Sequence, residues 1–586
     1  MKANIHLRHK IIIQKTPPLV DNEYVTPRYL NILGLNRMLL ISGLVCLFFF
    51  ASCGPGLGPG NEVDEIAPVV GAFTNSTNVD FTGFTLHWSR ASDNHSIASS
   101  LEYFVCTANS PAAISTVEGC LSATVALNWV SDTLSLDVTG KTHSTTYYYN
   151  VVVRDAARNM AIYNGISQVT LNAFISSWKT DNAGTSANNQ ITLPLEASGN
   201  YNFTVDWGDG NSLTLTDWND AGKTHTYPAP GTYTVTITGT LTGFRFNNGA
   251  DRRKLLNISQ WGPLRLGNSS GYFFGASNLT ITATDVLDLT GTTDLGNAFT
   301  NCTSLTTVPS MNEWNTSAVT TMRLLFAGAT VFNQNIGSWN TAAVTDMSYL
   351  FDGTAFNQDI GDWNTANVTD MSYMFNSTAS FNQDIGNWNT ANVTDMNHMF
   401  SNNAAFNQNI GNWNTAKVTN MNAMFSAASA FNQNIGSWNT AAVTNMSSLF
   451  SSATAFNQNI GNWNTAHVTN MDAMFSSAVA FNKDIGNWDT SAVTSMFAMF
   501  ANATAFSQNL GGWDVSNVTE MSFMFSSAGL IQAHYDSLLI GWSLLTLQNG
   551  VSFDGGTSQY SVGAATTARA NITTNFNWTI TDGGQN

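Results

Sequence analysis

A mainly β chain with short helical turns is predicted, in which two β-sandwich modules lead into a solenoid of 25-residue repeats. Three observations predict it. Tryptophan recurs at Trp314, Trp339, Trp363, Trp388, Trp413, Trp438, Trp463, Trp488 and Trp513, in steps of 25 residues with a single step of 24. A fixed period of that size marks a stacked repeat, because one unit cannot bury its own apolar face and its neighbours must do so. Upstream of the repeats, short runs of alternating apolar and polar residues follow one another with turns between them, as strands of sandwiches do. At 586 residues the chain also exceeds what one core supports.

Taken in order, the chain opens with a 13-residue apolar run, Met38 to Phe50, preceded by basic residues with Arg37 nearest. The run is too short to span a bilayer and has the length of a signal-peptide core. Ala51, Ser52, Cys53 and Gly54 follow and resemble a bacterial lipobox, with Phe50 where leucine is usual. The resemblance implies that Cys53 carries the lipid and begins the mature chain, so that residues 1–52 are a signal-peptide region. Residues 1–34 do not read as its basic leader, which places the expected start near Leu35 or Met38. Residues 53–65, rich in Gly and Pro from Gly54 to Gly60, read as a tether that holds the folded part off the membrane.

Residues 66–172 show period-two runs at Phe84–Trp88 and Leu101–Val105 and a long β-prone run from Thr146 to Asp155. A tryptophan on an early strand and a tyrosine-rich late strand are similar to fibronectin type III domains, whose size fits this span. In residues 173–247 a strand ends in Asp206-Trp207-Gly208-Asp209-Gly210, and His225, Tyr227, Gly231, Tyr233 and Val235 mark a turn leading into a second strand. These elements resemble a PKD domain, a small β-sandwich of extracellular proteins. Asp206 and Asp209 are carboxylates of the kind that bind calcium. An Asp in an Asp-Gly turn bonds its own backbone, however, and that is the expected role. Neither a metal nor a cofactor is expected.

Within the repeats, Val344, Met347, Leu350 and Phe351 recur at helical spacing and predict one or two helical turns, capped by Asn340 or Thr341. The run from Asn357 to Trp363 is the strand candidate, laddered in parallel with its neighbours at about 4.8 Å. Asn333, Asn357, Asn382, Asn407, Asn432, Asn457 and Asn482 are expected to stack as an amide ladder. The tryptophan column is expected to be a buried ladder rather than a sugar platform. The repeated pattern Trp-Asn-Thr-Ala-x-Val-Thr-x-Met-x-x-Met-Phe, then Phe-Asn-Gln-x-Ile-Gly-x-Trp, resembles the repeat of BspA-like leucine-rich-repeat surface proteins of bacteria and mycoplasmas. An older form of that repeat survives from Ala298 to Pro309. The resemblance implies a leucine-rich-repeat-type solenoid over residues 248–529, closed by a C-terminal cap at 530–586, in which a helical turn at Tyr535–Trp542 and strands near Val551–Phe553 and Asn577–Thr581 are expected. It also makes Cys302 a buried core thiol. Of the five cysteines, Cys46 then lies in the signal region and Cys53 at the lipid, leaving Cys106 and Cys120 as the expected disulfide.

A formal charge of −17 argues against nucleic acid and anionic membrane surfaces as partners. No phosphate-binding loop, His-Glu-x-x-His or Cys-x-x-Cys is present, and an enzyme is not expected. The expected protein is a monomeric cell-surface lipoprotein, anchored by its lipid to a bacterial membrane, the outer membrane where there is one. Its solenoid would bind a host or matrix protein or a glycan, as an adhesin or interaction platform. A structural or antigenic coat protein without a defined ligand, or a polysaccharide-binding protein, are the alternatives. The candidate binding face is the polar column Asn335, Asp359, Asp384, Asn409, Asn434, Asn459, Asp484 and Asn509, with Ser338, Asp362, Asn387, Asn412, Ser437, Asn462 and Asn487 beside it.

Overall fold

The computed structural model describes residues 63–79, 83–141 and 145–586. Cys53, the apolar run Met38–Phe50 and the Gly/Pro tether lie outside the described residues. None of the helices among the described residues is long and apolar enough to cross a membrane. The chain is mainly β, with a few short helices and a repeated architecture over its C-terminal half.

The first strands are β1 (Phe73–Thr77), β2 (Phe84–Trp88), β3 (Glu102–Ala108), β4 (Thr124–Ser131), β5 (Ser135–Val138), β6 (Thr146–Arg154), β7 (Met160–Ile162) and β8 (Ile166–Val169). They form an antiparallel sheet in the order β1-β2-β5 and a second in the order β4-β3-β6-β7, with β8 also on β6. Strand alternation decides what each sheet buries. Tyr103 and Val105 of β3 and Tyr149, Val151 and Val153 of β6 share a core with Phe84, Leu86 and Trp88 of β2. Phe104, Cys106 and Val152 point the other way, under the short helix α1 (Val117–Ser122). There Cys106 and Cys120 are joined by a disulfide, Cα–Cα 5.5 Å, which pins α1 to β3.

Next come β9 (Phe174–Lys179), β10 (Gln190–Thr192), β11 (Asn200–Asp206), β12 (Ser212–Leu215), β13 (Thr224–Thr226), β14 (Thr232–Thr242), β15 (Leu255–Gln260), β16 (Leu264–Arg265) and β17 (Thr280–Ile281). Apart from the β10–β13 pair they make one sheet, in the order β12-β11-β14-β9-β15-β17 with β16 on β14. Pairing is antiparallel from β12 to β15 and turns parallel at β15–β17 and β14–β16. The sheet therefore runs without a break across residue 248, and a single buried cluster continues from Phe174 to Trp578. The parallel pairs hand the sheet over to the repeats, which continue as single parallel bridges from Asp294↔Thr321 through Asp346↔Asp370 to Ser495↔Glu520.

Each repeat departs from the predicted helical turn. The N–H groups of Met347, Tyr349, Phe351 and Gly353 donate to Asp370, Ser372, Met374 and Asn376 of the next repeat at 2.9–3.1 Å. Those of Leu350, Asp352 and Thr354 bond back to Met347, Tyr349 and Phe351. Tyr349 (φ 58°) and Gly353 (φ 67°) adopt left-handed backbone, as do the matching residues of the other repeats, such as Tyr373, Ser377, His398 and Asn402. This is a succession of overlapping four-residue turns. Both a helix and such turns bring every third side chain to one face, so spacing alone does not separate them. An α-helix sends every amide to its own chain and leaves none for the neighbour; here alternate amides bind the stack together. The strand candidate Asn357–Trp363 is likewise corrected. The ladder runs through Thr345 and Asp346, and the 357–363 run is turn and loop. Asn340 closes a turn by accepting from the N–H of Ala342 at 3.1 Å rather than capping a helix.

Past the last repeat, helix α2 (Gln532–Trp542) places Trp542 in the tryptophan row, its Nε1 donating to Leu510 O. β18 (Ser552–Asp554) and β19 (Thr579–Thr581) pair in parallel, and helix α3 (Ala564–Asn575) lies between them in sequence and packs against α2.

One interior position is out of keeping with its column. Asn403 is fully buried and neither atom of its amide has a hydrogen-bond partner, while Ala428, Ala453, Ala478 and Ala503 fill the same place in later repeats. An unpaired buried polar group costs stability. Asn403→Ala is expected to stabilise the chain by about 1 kcal/mol after the smaller side chain's void is counted. Urea denaturation of the two proteins checks it; an unchanged or lower midpoint would show that the amide is satisfied.

Candidate binding face of the repeats

The interior of the stack sets what the surface can present. The tryptophans from Trp314 to Trp513 are only 1–4% exposed, out of reach of a ligand. From Trp339 to Trp513, each Nε1 donates to a main-chain carbonyl of the preceding repeat, as Trp438 does to Ile410 at 3.1 Å. Phenylalanines stack in pairs within each repeat, Phe425 on Phe431 at 3.9 Å, and again between repeats, Phe425 on Phe450 at 5.8 Å. Cys302 is a free, buried thiol whose pKa burial pushes up.

The asparagine ladder is formed by side chain to main chain. Asn333 Oδ1 accepts the N–H of Asn357 at 2.9 Å, Asn357 that of Asn382 at 3.0 Å, and the series continues to Asn482 and Ser507. Glutamines such as Gln383 and Gln408 donate to the same oxygens. An outer row of threonines, Thr345 to Thr519, donates each hydroxyl to the threonine carbonyl of the repeat before it.

The eight residues of the expected face, Asn335, Asp359, Asp384, Asn409, Asn434, Asn459, Asp484 and Asn509, are all exposed and in register. Each also closes a turn. Its Oδ1 accepts the N–H of the glycine two residues on at 2.9–3.1 Å. One oxygen or amide edge of each remains for a partner, so this column is in the first place part of the scaffold. In the neighbouring column Ser338 and Ser437 bond back to the preceding repeat.

A second strip was not legible as a site. Tyr349, Tyr373 and His398 stand in one left-handed column, half-buried, with ring centroids 4.3 Å apart and planes within 6°. Arg323 lies over the outer face of Tyr349 at 5.8 Å. The bridge residues Asp346, Asp370 and Asp395 run in the same three repeats, where later repeats have Asn420, Asn445 and Asn470. Burial pushes the Asp370 carboxyl up, with Asp346 and Asp395 on either side adding to it and the Ser372 hydrogen bonds opposing. Burial likewise raises Asp352 and Tyr349 and lowers His398 against the pull of Asp395. The available signal was substitution within the repeat: Tyr, Tyr and His at a position held by Ala423, Ser448, Ala473 and Ala498 further on.

Asp370 carries a pH prediction. A carboxyl whose pKa is higher in the folded chain binds more protons there than in the unfolded chain. Stability therefore falls as pH rises through the folded value and is regained as it drops. Asp370→Asn, which keeps the acceptor for Ser372 N–H, is expected to stabilise the protein near neutral pH by a few tenths to about 1 kcal/mol. The gain should shrink in acid, as denaturation curves at both pH values would show.

Asp206 and Asp209 are occupied locally. Asp206 Oδ1 accepts the N–H of Gly208, Asp209 Oδ1 that of Asn211, and Asp209 Oδ2 lies 2.8 Å from His225 Nε2.

The geometry defines a repeat protein, and the comparisons agree. Four overlapping segments, residues 292–401, 352–444, 380–466 and 433–538, match the family described as "Mycoplasma protein of unknown function, DUF285". No curated protein matches the chain. Among solved structures, chitinase ChiA74 from Bacillus thuringiensis is similar at 18% identity over 31% of this chain and 28% of that one, with a TM-score of 0.14. A likeness of that size carries no argument about fold or activity.

Proposed function

We propose that the chain is a lipid-anchored protein of the bacterial cell surface. Two β-sandwich modules would carry a leucine-rich-repeat-type solenoid that binds a protein or glycan partner and does no chemistry of its own. The observation that supports a ligand is the strip of Tyr349, Tyr373 and His398 beside Asp346, Asp370 and Asp395. Aromatic side chains are enriched where proteins bind one another. A face that served solubility alone has no use for stacked half-exposed rings next to mutually repelling carboxylates, and the next four repeats, with Ala423, Ser448, Ala473 and Ala498 in the column, do without both before Glu520 and Phe523 return in the last.

The test is binding of the soluble chain from Asn61 to Asn586 to a panel of matrix proteins and glycans, with Tyr373→Ala and Asn434→Ser alongside. Saturable binding lost in Tyr373→Ala and kept in Asn434→Ser supports the reading. Binding insensitive to Tyr373→Ala moves the site elsewhere. No saturable binding favours the coat reading, which the turn-closing role of the Asn and Asp column supports. Substitutions are used because a cut near Phe246 would separate β9 and β14 from β15 and β16.

A further inference from the structure

Away from the repeats, three carboxylates from separate segments converge: Asp64 ahead of β1, Asp93 after β2 and Asp155 at the end of β6. Each brings one oxygen to within 4.8 Å of the other two. Asp155 is 2% exposed and the Asp64 side chain 10%. Among the described residues no Lys or Arg forms an ion pair with any of them, and His95 Nδ1 lies 3.6 Å from Asp64. Asp93 commits Oδ2 to the N–H groups of His95 and Ser96, while its Oδ1 is buried and accepts no hydrogen bond. A buried carboxylate oxygen without a donor is costly, and beside two further carboxylates the cost grows. Asn159 holds two of the segments in place, donating from Nδ2 to Asp64 O at 2.9 Å and to Asp155 Oδ2 at 2.8 Å.

We propose that Asp64, Asp93 and Asp155 bind a hard divalent cation of the calcium type. The donors are oxygens only, which suits calcium and not zinc or copper. The ion supplies the positive charge that Asp93 Oδ1 lacks. It ties the segment entering β1 to the loop after β2 and the β6–β7 turn, so that calcium stiffens the start of the first module. This site is independent of any ligand of the repeats.

The experiment uses the chain from Asn61 to Asn586. Calcium titration by calorimetry and melting in calcium against chelator are run on the unaltered chain, on Asp93→Asn and on Asp209→Asn. Saturable calcium binding with a raised melting temperature is expected. Asp93→Asn should weaken it by about tenfold or more, with Asp209→Asn unchanged. Asp64→Asn, whose carboxylate accepts only the N–H of Ile66 in the main chain, is the second variant should Asp93→Asn not fold. Identical melting in calcium and chelator overturns the proposal, as does an unaltered calcium response in both variants.

Discussion

Trp438→Ala is expected to destabilise the chain by about 3–5 kcal/mol. The indole is 4% exposed and stands in the middle of its row, 6.4 Å from Trp413 on one side and Trp463 on the other. Its removal opens a void against Phe425 and leaves the Ile410 carbonyl without the indole N–H. Each repeat touches only its neighbours, so the loss should be local. Amide exchange is expected to speed up in the repeats around Trp438 and to hold in the antiparallel strands β9, β11 and β14. An unfolding midpoint equal to that of the parent would mean the row is not the core of the stack.

Gly436→Ala is expected to cost about 1–3 kcal/mol by overpacking. A Cβ at this position would sit 2.4 Å from the main-chain oxygen of Asn459 in the next repeat. The same approach recurs at Gly361, Gly386, Gly411, Gly461 and Gly486, at 2.5–2.8 Å. None of these glycines has left-handed backbone; the requirement is the closeness of the next coil. Gly353 is the contrast. Its φ is 67°, a Cβ would meet nothing within 4 Å, and Ser377, Asn402 and Ala427 take its place in later repeats. Gly353→Ala should therefore cost only about 1 kcal/mol. Equal losses in the two variants would show that the closeness of the next coil is not what selects glycine at Gly436.

The repeat was legible because burial in a stack must be renewed every turn. A large apolar ring returning every 25 residues needs a unit of that length packed on its own copies, and the four family matches fall on the same stretch. The local conformation was misread for a definable reason. Val344, Met347, Leu350 and Phe351 satisfy a helix and a chain of four-residue turns alike, and only the destination of the amides separates them. The Asn335 to Asn509 column was legible as exposed and periodic. Its commitment to glycine N–H groups was not, since it depends on turn geometry two residues on.

By itself, then, the sequence determined the period, the buried row and the polar columns, all of which follow from side-chain type at a fixed spacing. Tertiary structure alone decided three things. The ladder runs through Thr345 and Asp346, because there Thr345 donates its N–H to Thr320 of the coil before and accepts that of Thr369 from the coil after. The sheet of β9 to β15 continues into the repeats, because β15 and β17 pair in parallel. Asp64, Asp93 and Asp155 meet, because strands far apart in sequence end at one edge of the first module. Each depends on contacts between residues distant along the chain, which no local pattern encodes.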